Sequence, residues 1–278
     1  NDPNTAFLKK VEPTSHTIMI SFPSMNNLNH QVIGVASGKG GVGKTTISVN
    51  LALAMAQQRK KVALIDADLG LANAQIALGI NAPFNISDVL SGRRDVGEVA
   101  TRVTDGLVLI PGASGNSEMA NLNSLQAHSF LQAVFDTFQD LDVIFIDMAA
   151  GLSDSGLTFL RACNIKVVVA QDEPASLADA YGLIKLQKKE NSMKDIILLP
   201  NRVTNELEGR KLFNKLNGVC MRFLEEPVKY IQSVHEDKNI SEASRHRENL
   251  FVRHPSSKAV SNFLSLAEKI LEGARQPA

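Results

Sequence analysis

A single doubly wound α/β domain, with a mostly parallel, twisted sheet covered by helices on both faces, is the architecture this sequence predicts. Three observations predict it. Short runs rich in Val, Ile and Leu alternate with longer helical segments from about residue 32 to residue 272. These runs are apolar at nearly every position rather than at every second one, as in strands buried on both faces. The first run leads through a glycine-rich stretch, Gly38-Lys39-Gly40-Gly41-Val42-Gly43-Lys44-Thr45-Thr46, into a long Ala/Leu-rich segment.

The strands are expected at 32–36, 61–65, 107–110, 143–146, 166–170 and 196–199, with a weaker one at 228–231. Helices are expected between and after them, at 45–58, 73–79, 86–91, 124–139, 154–162, 176–190, 206–217 and 257–272. Alternation of this kind places helices on both faces of one sheet. Residues 1–30 are polar apart from a small cluster at Ile18-Met19-Ile20-Ser21-Phe22, and they read as an extension that is loose or docks on a partner. Residues 31–278 then form one domain. In the last helix Val260, Phe263, Leu264, Ala267, Ile270 and Leu271 make an apolar stripe suited to packing on the sheet.

Composition narrows the function classes. The chain has 278 residues with 29 basic and 29 acidic side chains, so its formal net charge is +0 and no overall basic footprint points to nucleic acid. The two cysteines, Cys163 and Cys220, have no paired spacing and read as buried thiols of a reducing compartment. No apolar run approaches the length of a membrane span, and no signal-peptide pattern is present, so a soluble cytoplasmic protein is expected.

The glycine-rich stretch satisfies the phosphate-loop spacing, Gly, four residues, then Gly-Lys-Thr. A strand, a loop of this kind and a helix aim backbone N–H groups and a helix N-terminus at one point, which favours a polyphosphate. Lys44 is placed to reach the β- and γ-phosphates and the Thr45 hydroxyl to ligate Mg²⁺. Ligands of open parallel sheets sit beyond the C-terminal strand ends. There the second strand leads into Asp66-Ala67-Asp68 and the fourth into Asp147. A carboxylate directly after an apolar strand needs a cation or a donor. Asp147 therefore reads as the Mg²⁺-holding acid. Asp66 and Asp68, two apart on an extended chain, share a face, so that one supports the metal and the other polarises a water. Lys39, at the loop's mouth, cannot easily turn back to phosphates wrapped by its own loop. It is either a solvated surface lysine or a charge delivered across a two-fold axis to a second subunit's nucleotide.

The stretch Lys39-Gly40-Gly41-Val42-Gly43-Lys44-Thr45-Thr46 resembles the deviant Walker A motif of the MinD/ParA ATPases, P-loop NTPases of the SIMIBI class, with Lys39 at the signature-lysine position. Leu64-Ile65-Asp66-Ala67-Asp68-Leu69-Gly70-Leu71-Ala72-Asn73 is similar to their second motif in its MinD form. Two segments resemble the FlhG branch, also called FleN. They are Asp147-Met148-Ala149-Ala150-Gly151-Leu152 and the run from Asp172-Glu173-Pro174-Ala175-Ser176 through Asp179-Ala180-Tyr181 to Lys185. Gly112-Ala113-Ser114-Gly115 also fits, and the resemblance spans residues 31–272.

The resemblance implies a slow ATPase that binds ATP or ADP with Mg²⁺ and dimerises face to face when ATP is bound. Gly38, Gly40, Gly41, Val42, Gly43, Lys44, Thr45 and Thr46 would hold the nucleotide, and Asn201 with Arg202 would meet the adenine. Thr45, Asp66 and Asp147 would serve the metal, and Lys39, Lys44 and Asp68 would serve hydrolysis. It implies control of flagellar number or placement. Partners would be a second copy, an FlhF-like GTPase, switch-ring proteins or a flagellar transcription activator. Location would be cytoplasmic, polar or peripheral to the membrane. The alternative within the family is a ParA- or MinD-like positioner of division sites, chromosomes or other cargo.

Three features depart from the pattern. Met148 replaces a Thr and His235 a Pro, and residues 1–30 lack the FlhG motif that stimulates FlhF. After the last helix, 272–278 is too short for the membrane helix with which many relatives end. A metabolic enzyme on the same scaffold would need a cysteine pair or a substrate site that the sequence does not show.

Overall fold

The structure, a computed structural model, describes residues 30–68, 72–113, 122–151, 153–190 and 193–273. In chain order the elements are β1 (Gln31–Ala36), α1 (Lys44–Gln57), β2 (Val62–Ala67), α2 (Ala74–Leu78), α3 (Ile86–Leu90), α4 (Val96–Val99), β3 (Thr101–Thr104) and β4 (Leu107–Ile110). Then come α5 (Ser124–Thr137), β5 (Val143–Met148), α6 (Asp154–Arg161), β6 (Ile165–Ala170), α7 (Pro174–Glu190), β7 (Ile196–Val203) and α8 (Glu206–Leu224). The chain closes with β8 (Val234–His235), α9 (Lys238–Arg245), α10 (Leu250–Arg253) and α11 (Lys258–Gly273).

The strands form one sheet in the order β3-β4-β2-β5-β1-β6-β7-β8. Every neighbouring pair is parallel except β3 with β4. Because β5 lies between β1 and β2, the C-terminal ends of β1, β2 and β5 converge at one edge. The doubly wound architecture is therefore as the sequence predicts.

Strand parity decides what each face carries. Val62 and Leu64 of β2, Val143 and Phe145 of β5 and Ile33 and Val35 of β1 face α1 and α11. Ala63, Ile65, Ile144, Ile146 and Val168 face the opposite way, onto α5, α6, α7 and α8. Helix α1 is buried almost all round, Ile47 through Met55 included, because it lies between the sheet and α11. The stripe on α11 lies against that layer, with Phe263, Leu266 and Ala267 fully buried and Gln58 Nε2 donating to Leu264 O at 3.0 Å. The last helix is thus a core helix, as its stripe suggests. No helix among the described residues is long and apolar enough to cross a membrane.

Four readings of the sequence need correction. The strands β2, β5 and β7 run further than their apolar runs, so Asp66 and Asp147 lie inside strands rather than after them. The segment 228–231 makes only an isolated bridge, Lys229 with Ile197, and the edge strand is the two-residue β8. The edge strand β3 (Thr-Arg-Val-Thr) was absent from the sequence expectation because its side chains alternate half-buried and exposed. Helix α8 continues to Leu224, seven residues beyond the expected 206–217. Residues 1–29, Leu69–Leu71, Ser114, Gly115, Leu152 and residues 274–278 lie outside the described residues, and with them the N-terminal extension and the chain's last residues.

Phe263→Ala should lower stability by about 3–5 kcal/mol, the range for deleting a buried aromatic side chain. Urea unfolding followed by circular dichroism measures it, and a loss under about 1 kcal/mol would show that α11 is not integral to the core.

Candidate functional site

The loop after β1 is built by glycines and pinned by amides. Gly41 (φ +78°) and Gly43 (φ +99°) adopt the left-handed conformation, which turns successive N–H groups toward one side. Gly43 is also the N-cap position of α1, where no side chain caps the helix, so the first-turn amides stay available to an anion. A side chain at Gly38 would meet the Asp179 carbonyl oxygen at 2.5 Å, so α7 packs directly against the loop's start. The Val42 carbonyl accepts from Asn201 Nδ2 at 2.7 Å and from Gln171 Nε2 at 3.2 Å. The ends of β6 and β7 thus hold the loop by one oxygen, while a Cβ added at Gly40 would stand 3.9 Å from the Ala150 Cβ.

Beside the loop stand the acids. Asp66 on β2 and Asp147 on β5 are register partners on adjacent strands, 1% and 0% exposed, and both face α1. Asp147 Oδ1 accepts from Ser48 Oγ at 2.9 Å, and the Thr45 hydroxyl also bonds this carboxylate. Its Oδ2 is buried without a partner among the described residues. Asp66 accepts from Asp68 N at 3.2 Å and Ala74 N at 2.9 Å. It therefore organises the turn that carries Asp68 and keeps spare lone pairs for water.

Burial and then the Asp147 charge hold Asp66 well above the ordinary carboxylate range. Burial raises Asp147 too, against the hydrogen bonds of Thr45 and Ser48 and the nearby Lys44 ammonium. Lys44, only 8% exposed, is lowered by burial and supported by Asp147 and Asp68. Two buried acids that resist ionisation, one with an empty buried oxygen beside a threonine hydroxyl, suit a hard dication that completes its shell with water and phosphate oxygens.

Lys39 points to the start of α7, where its ammonium pairs with the Glu173 carboxylate, both half exposed. Met148 lies on the opposite face from Asp147, buried under Gly34 with Cys163. A hydroxyl lost at this position is therefore replaced by core packing. Both cysteines are free and buried, and burial pushes their thiols up.

Past the loop opens a cleft of about 330 Å³ lined by Gly43, Thr46, Asn201, Arg202, His235 and Glu236, with α9 as its outer wall. Arg202 is the bulged residue where the β7–β8 register shifts, with φ 56°. Asn201 spends its Nδ2 on Val42 O, which leaves Oδ1 as an acceptor beside the cleft. An acceptor there matches the 6-amino group of adenine and not the 6-oxo group of guanine. The Nε2 of His235 is 3.9 Å from Glu206 Oε2. The loop, acid and base-cleft residues predicted from the sequence are thus brought to one edge. Ser48, Gln171, Glu173 and α9 were not read from the sequence. Ser48 alone carried a local signal, standing one helical turn after Lys44 on the face of a helix that opens at a phosphate loop.

Residues 33–250 match the model of the CobQ/CobB/MinD/ParA nucleotide binding domain. The chain is 40% identical over 240 residues to the antiactivator FleN of Pseudomonas aeruginosa, covering 86% of each chain. It is 34% identical over 195 residues to the flagellum site-determining protein YlxH of Helicobacter pylori, covering 70% of this chain and 66% of that one. The fold matches the septum site-determining protein MinD of Pyrococcus horikoshii, solved with Mg-ADP, at a TM-score of 0.73 and 23% identity over 90% of this chain and 100% of that one.

Two predictions follow from the site. Gly43→Ala forces a left-handed alanine whose Cβ would stand 2.4 Å from Asn201 Nδ2. Mg-ATP affinity, titrated with a fluorescent nucleotide, should fall about tenfold or more, since a left-handed non-glycine residue costs roughly 1–2 kcal/mol. The second concerns pH. A carboxyl whose folded-state pKa lies above its unfolded value stabilises at low pH, and that contribution is lost as pH rises from about 4. In metal-free, nucleotide-free protein, Asp66→Asn should therefore gain melting temperature over wild type progressively between pH 4 and pH 8. A constant difference would contradict the raised pKa.

Proposed function

The chain belongs to the CobQ/CobB/MinD/ParA nucleotide-binding family, and we propose that it is a MinD-like ATPase whose ATP-bound dimer acts as a regulatory switch on flagellar number or placement. The pinned phosphate loop beside the Asp66–Asp147 register pair supports the chemistry. The flagellar reading rests on FleN, matched over 86% of both chains, and on YlxH.

In this reading the loop amides and Lys44 hold the β- and γ-phosphates. Thr45 and Asp147 would hold Mg²⁺, with Asp66 in support. Bound Mg²⁺ would neutralise charge developing on the phosphates. Asp68, carried on the turn that Asp66 organises, accepts a hydrogen bond from the attacking water and aligns it. The reaction is ATP plus water to ADP and phosphate. Asn201 Oδ1 selects adenine. Lys39 leaves Glu173 and reaches the γ-phosphate bound by a second copy, which makes nucleotide state and dimerisation one event. The sites that read this event would be a flagellar GTPase of the FlhF type, a switch-ring protein or a transcription activator. Residues 1–29 are proposed as an extension that contributes to such contacts.

Light scattering tests the reading. Wild type should be monomeric with ADP and dimeric with Mg-ATP. Asp68→Ala should dimerise with ATP and lose at least about 100-fold in turnover. Lys39→Ala should bind nucleotide and remain monomeric. Unchanged mass in both nucleotide states would remove the switch, and normal turnover by Asp68→Ala would remove its water-aligning role. Salt-sensitive binding of the ATP dimer to DNA would favour a ParA-like cargo positioner instead.

A further inference from the structure

The outer wall of the base cleft points to a residue that the phosphate-loop chemistry leaves unassigned. Helix α9 runs along the cleft and presents Ile240, Ser241, Ser244 and Arg245 to it, a helical set one turn apart. Across the gap lie Asn201 and Arg202. Neither Arg202 nor Arg245 has an acidic partner within ion-pair distance among the described residues. Two unpaired guanidiniums therefore flank one slot that opens directly from Gly43 and Thr46.

Charge decides what enters it. Glu236 and Asp237 line the same cleft, and Asp237 is already used to cap α9 by accepting from Asn239 N at 2.8 Å. A second anion would meet these carboxylates. A neutral purine would not, and its face is what a guanidinium plane covers well. Asn201 Oδ1 provides the acceptor for its amino edge, and Ser241 and Ser244 line the same cleft.

We propose that Arg245 is a nucleobase-binding residue that closes the open side of the cleft and stacks on the adenine held by Asn201, with Arg202 at the opposite wall. The inference rests on the nucleotide reading above and deepens it. The guanidinium touches the base and not the γ-phosphate, so ATP and ADP gain equally from it. Arg245 then sets affinity for both nucleotides.

The experiment separates base contacts from phosphate contacts. Binding of ATP, ADP and magnesium tripolyphosphate is measured by competition against a fluorescent ATP analogue for wild type, Arg245→Ala, Arg245→Lys and Lys44→Ala. Arg245→Ala should weaken ATP and ADP alike by about five- to tenfold, the scale of a partly desolvated cation–π contact. Tripolyphosphate should compete as strongly as in wild type. Arg245→Lys should recover part of the affinity, because the charge remains and the plane is lost. An unchanged ATP affinity in Arg245→Ala overturns the inference. So does an equal loss for tripolyphosphate, which would mean a general electrostatic or folding effect. Lys44→Ala reports on the underlying site: it should weaken all three ligands. If wild type itself binds neither ATP nor tripolyphosphate, the nucleotide reading fails and this inference with it.

Discussion

The site depends on burying two carboxylates side by side. Asp66 and Asp147 are register partners on neighbouring parallel strands, so their backbones are about 4.8 Å apart. Two like charges at that distance in a dry sheet cannot both ionise without help. The surrounding residues supply it in graded form. Backbone amides of Asp68 and Ala74 serve one acid, the Thr45 and Ser48 hydroxyls serve the other, and Lys44 stands between loop and acids. What remains unmatched is one buried oxygen of Asp147. The pair is tolerable as neutral acids and becomes favourable as anions around a dication, so metal binding and acid ionisation are one step.

The same economy governs the loop. A glycine-rich turn with two left-handed residues is entropically costly and would fray if left alone. One carbonyl, that of Val42, takes two side-chain amides from the ends of β6 and β7. The Val42 side chain is itself buried in the core. The loop is thereby preorganised from behind, and its N–H groups stay free in front. The tie has a second effect. Asn201 cannot rotate its amide without breaking the bond to Val42, so the acceptor it shows to the base cleft is fixed by the phosphate loop. The loop and the cleft beside it thus share one tie point.

Much of this was legible in the sequence, and the reasons are physical. The β1, β2, β5, β6 and β7 runs announce themselves because strands buried on both faces must be apolar throughout. The phosphate loop announces itself because only glycines fit its conformation. Strand ends were less legible: a buried Asp inside a strand looks like the end of an apolar run, which moved Asp66 and Asp147 out of β2 and β5. Polar, half-exposed elements left little trace. Thr101–Thr104 alternates weakly, and Lys238–Arg245 is nearly all polar, held by its Asp237 cap and the buried Ala243. Gln171 and Glu173 could not be read as site residues, since their partners lie more than a hundred positions away. The expectation for Asn201 came from family resemblance alone; its bond to Val42 joins residues 159 positions apart and leaves no local signal.

Lys39 shows how a weak contact can matter more than a strong one. Its bond to Glu173 joins two half-exposed side chains, a kind of pair that contributes about 0–1 kcal/mol to stability. It cannot be what fixes α7 to the loop; the close packing of Gly38 on Asp179, with the part-buried bond from Gln171, just before α7, to Val42, does that. The ion pair instead keeps a flexible cation out of its own phosphate site at almost no cost. A charge held so lightly is free to move to any anion that pairs with it more strongly than a solvated carboxylate. A buried lysine such as Lys44 has no such freedom. The two lysines thus differ by burial: Lys44 is enclosed beside the acids, and Lys39 stands half exposed at the loop's mouth.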